Sequence, residues 1–339
     1  MQNSLFGDDP TPKPTLKAGK TVEPVAPTPA LIELGNTLPA HLRLGTSSWN
    51  YPGWNGLVWD GDYPETRLSR EGLRAYAQHP LFRTVSIDRS FYRPLNVAQF
   101  AEYASQVPAD FRFVVKAPSL VTDALVRDES GRGMRPNLHF LDAAQAVQLF
   151  VEPALEGLGP KLGALVFQIS PLPGHWLVRM PELIQRLHTL LKAIPDLRSA
   201  APEGVIAVEV RDPQWLTPAF VNALRDTGAT YCMGLHAKMP RIAEQLPLLR
   251  ALWPGPLVCR WNLNPLHGAY GYEDAQQQYS PYDKMVDPDP ETREALARVI
   301  TGTANAGQNV YVTLSNKAEG SAPLSVIELA NAIRSSRSD

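Results

Sequence analysis

Eight short β-rich runs alternate with eight amphipathic stretches, and this alternation predicts a (β/α)8 barrel. Two further observations agree. Links from helix to strand are mostly short, whereas three links from strand to helix are long. No GxGxxG or GxxxxGK[ST] opens any helix, which counts against the nucleotide-binding forms of the alternative, a doubly wound open sheet.

The elements follow in order. Residues 1–40 have no apolar period, and "DDPTPKPTLKAGKTVEPVAPTPA" puts prolines where helices and strands need amide donors. A disordered, proline-rich tail is expected there, with the folded domain at 41–339. The predicted strands lie at 42–48, 82–90, 111–118, 162–170, 204–212, 229–237, 256–263 and 309–316. Between and after them, 67–79, 96–107, 140–155, 180–194, 217–228, 242–252, 290–307 and 322–334 repeat apolar residues at three- and four-residue steps, as helices do. Thr217 before Pro218, and Gly228 after Thr227, are sensible ends for one of them. The long strand-to-helix links are 49–66, 118–138 and 263–289. In a barrel all three lie on the face where active sites are built. The first holds Trp49, Tyr51, Trp54, Trp59 and Tyr63. The second holds Arg127, Arg132 and Arg135. The third holds Tyr270, Tyr272, Tyr279 and Tyr282. These aromatics either cap the barrel as a small core or form a binding rim.

Composition narrows the function classes. The 339 residues are 44% apolar and 19% charged, ordinary globular values. A formal net charge of −2 argues against a strongly basic nucleic-acid binder but leaves room for a local basic groove. Cys232 and Cys259, each in an apolar run, read as reduced core thiols, so a cytoplasmic setting is expected. Neither a signal peptide nor a membrane span is expected. The sequence is silent on cofactors and oligomeric state.

Strand parity places the polar residues, because alternate side chains of a barrel strand point inward. Ile206, Val208 and Val210 should meet helices, leaving Glu209 and Arg211 inside near the C-terminal mouth. The same parity brings Asp88, Lys116, Gln168, His236, Arg260 and Asn262 to that mouth, with Asn316 at the end of the last strand. One reading is a set of internal ion pairs, such as Glu209 with Arg260 and Asp88 with Lys116. The other is a polar pocket with surplus cations. There Lys116, Arg211 and Arg260 would hold an anion, and Glu209, Asp88 and His236 would be the catalytic candidates. Gln168, Asn262, Asn316 and the rim aromatics Trp49, Tyr51, Trp54 and Tyr92 are expected substrate contacts. The seven histidines show no HxH or HExxH, so no metal site is expected. A Glu209–His236–Asp88 triad is the alternative.

At these residues the chain resembles the YecE-like proteins, a domain of unknown function with a TIM-barrel fold. The matching pieces are "LGTSSWNYPGW", "FRTVSIDRSFYRP", "PADFRFVVKAPSLVTD", "VEVRDPQW", "VCRWN" and "VTLSNKAEGSAP", in family order over roughly 42–335. Lys116, Glu209, Arg211, Arg260 and Asn316 fit the family pattern. Ser86, Asp88 and Arg89 stand where an acid, an amide and a serine are usual. Thr122–Asp123 replaces a Thr-His pair, and Ser315–Asn316 an Asn-Asn pair. The resemblance implies a fold and no reaction.

The opening "QNSLF" resembles the short peptide by which many bacterial replication and repair proteins bind the sliding clamp. Gln2, Ser4, Leu5 and Phe6 match and Asn3 does not. An extended peptide can seat Leu5 and Phe6 in an apolar groove while Gln2 hydrogen-bonds. Three functions follow as expectations. One is a hydrolase or lyase for a phosphate-bearing, nucleic-acid-related substrate. The second is a carbohydrate-active isomerase or hydrolase. The third is a non-catalytic module recruited to the clamp.

Overall fold

The computed structural model describes residues 21–128 and 132–337. The expected eight strands form a closed parallel barrel. They are β1 (Leu42–Thr46), β2 (Phe82–Ile87), β3 (Arg112–Lys116), β6 (Leu162–Gln168), β7 (Val205–Glu209), β8 (Thr230–Leu235), β9 (Leu257–Trp261) and β10 (Val310–Leu314). Around the barrel the order is β1-β10-β9-β8-β7-β6-β3-β2. A small antiparallel hairpin, β4 (Leu125–Arg127) with β5 (Gly133–Pro136), stands on the second long link. Strands of three and four residues give sequence periodicity nothing to detect.

Parity holds on every strand with a clear pattern. Val114, Ala164, Val166, Ala207, Cys232, Val258 and Tyr311 pack against one another as one cluster inside the barrel. The opposite faces of the same strands, such as Val115, Leu165, Val208, Met233, Cys259 and Val312, belong to the larger core beneath the helices. Both cysteines are buried and free. The helix at Pro218–Thr227 begins and ends as its sequence suggests. Thr217 accepts a hydrogen bond from Phe220 N at 3.3 Å, and Gly228 takes a left-handed φ of 70°. The stretch 140–155 is less regular. It splits into Ala143–Ala146, a wide turn at Val147–Val151 and Glu152–Leu158. Pro153 has no amide to continue the earlier ladder.

The tail expected over 1–40 does not hold from residue 21 onward, and residues 1–20 lie outside the described residues. Pro29–Thr37 is a helix started by Thr28 and Pro29, and its Leu34 is buried. Arg83 donates to the carbonyls of Gly35 and Pro39, each at 2.7 Å. Val25 N donates to Val58 O at 2.9 Å, and Pro24 bridges Trp59. The proline-rich segment from 21 onward therefore lies on the barrel, held by bonds from outside itself, which no local pattern reveals. Gln2, Leu5 and Phe6 fall outside the described residues. Among the described residues no helix is long and apolar enough to cross a membrane.

Candidate functional site

The C-terminal ends of the strands bring Asp88, Lys116, Gln168, Glu209, Arg211, His236, Arg260 and Asn262 to one mouth. Glu209, at the end of β7, is fully buried. Its Oε2 accepts from Arg260 Nη1 at 2.7 Å, and its Oε1 lies 2.7 Å from Arg211 Nη2. Asn262 Nδ2 also donates to Oε1, at 3.2 Å. Gly234, the inward residue facing it on β8, makes room. A Cβ there would lie 3.1 Å from Glu209 Oε1. Burial pushes the Glu209 carboxyl up, but Arg211 and Arg260 overcome it and hold it below the ordinary carboxylate range.

Arg260 is the hub. Its other terminal nitrogen donates to Asp88 Oδ2 at 2.7 Å. Gln168 Oε1 accepts from Arg211 at 2.9 Å and from Arg260 at 3.1 Å. Of the two expected ion pairs, Glu209–Arg260 forms and Asp88–Lys116 does not, because Arg260 reaches both acids with its planar fork. Asp88 also accepts from Ser86 Oγ at 2.5 Å, and its side chain is 31% exposed.

Lys116, the last residue of β3, faces the same space with its amine 3.6 Å from the centroid of Phe91. Among the described residues no carboxylate lies within 4 Å of that amine. Burial pushes it down to about 7; Asp88 raises it, while Arg260 and Arg211 lower it further. His236 Nδ1 accepts from Lys238 N at 3.1 Å, and its ring lies 5.2 Å from that of Tyr272. Burial, followed by Arg211, pushes His236 down to about 3, so it is neutral near pH 7. The alternative metal triad does not assemble: no group of three such ligands occurs among the described residues.

The rim differs from the expectation. Trp49 is buried, donates to Leu68 O at 3.1 Å and packs edge-on against Tyr103. Trp54 is fully buried, and its Nε1 donates to Asn316 Oδ1 at 3.2 Å. The same Asn316 oxygen accepts from Ala322 N at 2.8 Å. Trp49 and Trp54 are thus committed to the scaffold, because burial in a small core satisfies indole rings better than a wet rim does. Asn316 spends its oxygen on the same scaffold, while its buried Nδ2 has no partner among the described residues. Tyr51 remains half-buried, edge-on to Tyr282 at 5.3 Å, its hydroxyl pushed up by burial, Tyr282 and Asp88. Tyr92 is 83% exposed. Two contacts escaped sequence reasoning. Phe91 lies under Lys116, and Tyr272 accepts from Arg211 Nη1 at 3.1 Å. The aromatic content of their loops was the available signal, but not the partner of each ring. Asp123, standing where the family resemblance expects histidine, pairs with Arg127 at 2.6 Å. A cleft of about 690 Å³ opens beside His236, between the helices at Ile242–Ala251 and Pro290–Asn305.

Similar chains have been solved. A DUF72 family protein from Enterococcus faecalis V583 is 18% identical and superposes with a TM-score of 0.54, covering 86% of this chain and 95% of that one. Another, from Thermotoga maritima MSB8, is 18% identical with a TM-score of 0.50 over 88% and 99%. No curated protein matches. At such identities the likeness speaks for the fold. The family model for a protein of unknown function, DUF72, matches residues 43–339, nearly the whole barrel, and the chain therefore belongs to the DUF72 family.

Proposed function

We propose that the barrel mouth is an active site for a phosphate-bearing substrate, worked by hydrolase or lyase chemistry. The observation that carries this reading is the cation surplus at one rim: among the described residues Arg211 and Arg260 pair with Glu209 and Asp88, and Lys116 has no carboxylate within 4 Å. Guanidinium groups already held in place by Glu209 and Gln168 lose little freedom when they take a phosphate. Glu209 acts as their anchor rather than as the proton carrier, since both its oxygens are engaged and it stays ionised. Asp88 also has both oxygens engaged, by Arg260 and by the Ser86 hydroxyl, but its side chain is partly open to solvent where Glu209 is fully buried, so it is the better proton carrier. The exposed ring of Tyr92 supports a nucleic-acid-related substrate, because such a face can stack a base.

The test is turnover of phosphomonoesters and of an oligonucleotide with an abasic site. The full chain should turn over at least one, and Asp88→Asn should lose at least tenfold. Failure of every phosphate-bearing compound to bind or react would remove the reading. The carbohydrate reading is weaker, since Trp49 and Trp54 lie in the interior and the two acids it needs share Arg260. Recruitment to a sliding clamp rests on Gln2, Leu5 and Phe6. Surface-immobilised clamp should retain the full chain and release Leu5→Ala/Phe6→Ala.

A further inference from the structure

We infer that Lys116 is a carbonyl-capturing nucleophile, so the substrate class narrows to phosphorylated compounds with an open-chain aldehyde. This rests on the phosphate-site reading above. An amine meant only to hold charge would be expected to sit against a carboxylate, and two are near. Instead Arg260 takes both Asp88 and Glu209, and no carboxylate lies within 4 Å of the Lys116 amine among the described residues. The amine lies 3.6 Å over Phe91, whose face favours the ammonium but holds it less strongly than a carboxylate would. The charged groups that act on it are Asp88 from the end of β2, Glu209 and Arg211 from the end of β7, and Arg260 from β9. Burial and the two guanidiniums outweigh the two acids and push the amine down to about 7, so its neutral, nucleophilic form is accessible near neutral pH. A lysine desolvated beside other cations is the usual route to an amine nucleophile.

The amine nitrogen attacks the aldehyde carbon, forming a C–N bond. The carbonyl oxygen takes up protons and leaves as water. A protonated imine remains, and Asp88 is the nearby partly exposed base able to take a proton from the carbon next to it. Arg211 and Arg260 would hold the phosphate.

The probe is deoxyribose 5-phosphate with the full chain under cyanoborohydride, read by intact mass and peptide mapping. A reduced adduct on the peptide containing Lys116, at least tenfold weaker in Lys116→Met, is expected. Absence of an adduct in the wild-type chain, or an adduct spread over surface lysines, overturns the inference, and the wild-type experiment decides it even if the variant does not fold. Two further arms separate the sources and the two readings. An abasic-site oligonucleotide that outcompetes the sugar phosphate assigns the aldehyde to DNA; the reverse assigns it to a small sugar phosphate. Glyceraldehyde, which has no phosphate, should label Lys116 at least tenfold less. Equal labelling would keep the nucleophile and discard the phosphate site.

Discussion

The two ends of this barrel carry the same motif and use it differently. At the N-terminal end Glu203 sits between Arg43 and Arg112, at 2.6 and 2.5 Å, and one oxygen accepts both. At the C-terminal end Glu209 sits between Arg211 and Arg260, using both oxygens. Glu203 is 33% exposed, and its arginines also donate to Asn309 and to backbone carbonyls. The lower cluster thus closes the barrel floor with every cation committed. The upper cluster is dry at its centre and adds a lysine without a carboxylate. An arginine–glutamate cluster alone is architecture; the surplus amine beside it marks the chemical end.

The largest expected effect separates the two glutamates. Glu209→Gln leaves two buried guanidiniums short of a counter-charge and should cost about 3–5 kcal/mol. Glu203→Gln, partly screened by water, should cost about 1 kcal/mol or less. Urea denaturation of both variants measures the difference, and equal losses would erase the distinction between floor and mouth. Next, Asn316→Ala removes the acceptor shared by Trp54 and Ala322 and should cost about 1–3 kcal/mol per orphaned donor while leaving ligand affinity nearly unchanged. A large affinity loss at intact stability would return Asn316 to the binding set.

Lys116→Met should stabilise the fold by about 1–3 kcal/mol at pH 7. The sign follows from proton counts. With its amine pushed down to about 7 in the fold, the unfolded chain binds more protons between that value and the ordinary lysine pKa. Stability therefore rises with pH across that window, and the handicap is fully present below it. The gain from Lys116→Met should shrink as pH climbs from 7 to 10, as denaturation at three pH values would show. A constant gain would mean the amine is not perturbed. Smallest is Tyr92→Ala, which should leave stability within about 0.5 kcal/mol because the ring is exposed. Its expected effect is on substrate affinity, read by titration.

Much of the barrel was legible because its signals are local. The eight strands are short apolar runs, and the period of two along "GVIAVEVRD" already separates Glu209 and Arg211 from Val208 and Val210. Other features were not legible, for an equally plain reason. Trp49 and Tyr92 are both aromatic residues in strand-to-helix links, yet one is core and the other solvent. Nothing within a few residues of either tells them apart. The segment at 21–39 reads as tail by composition and is fixed to the barrel by Arg83, more than forty residues away.

The sequence by itself determined which side chains face the lumen, since backbone pleating alternates them whatever the neighbours are. It also determined that cations outnumber acids there. Only closure of the barrel decided who pairs with whom. Arg260, one strand away from Glu209's neighbour, spans the lumen to Glu209 and Asp88 because its guanidinium is a planar fork with two ends. Lys116, with a single ammonium at the edge of the same space, is left with an aromatic ring for company.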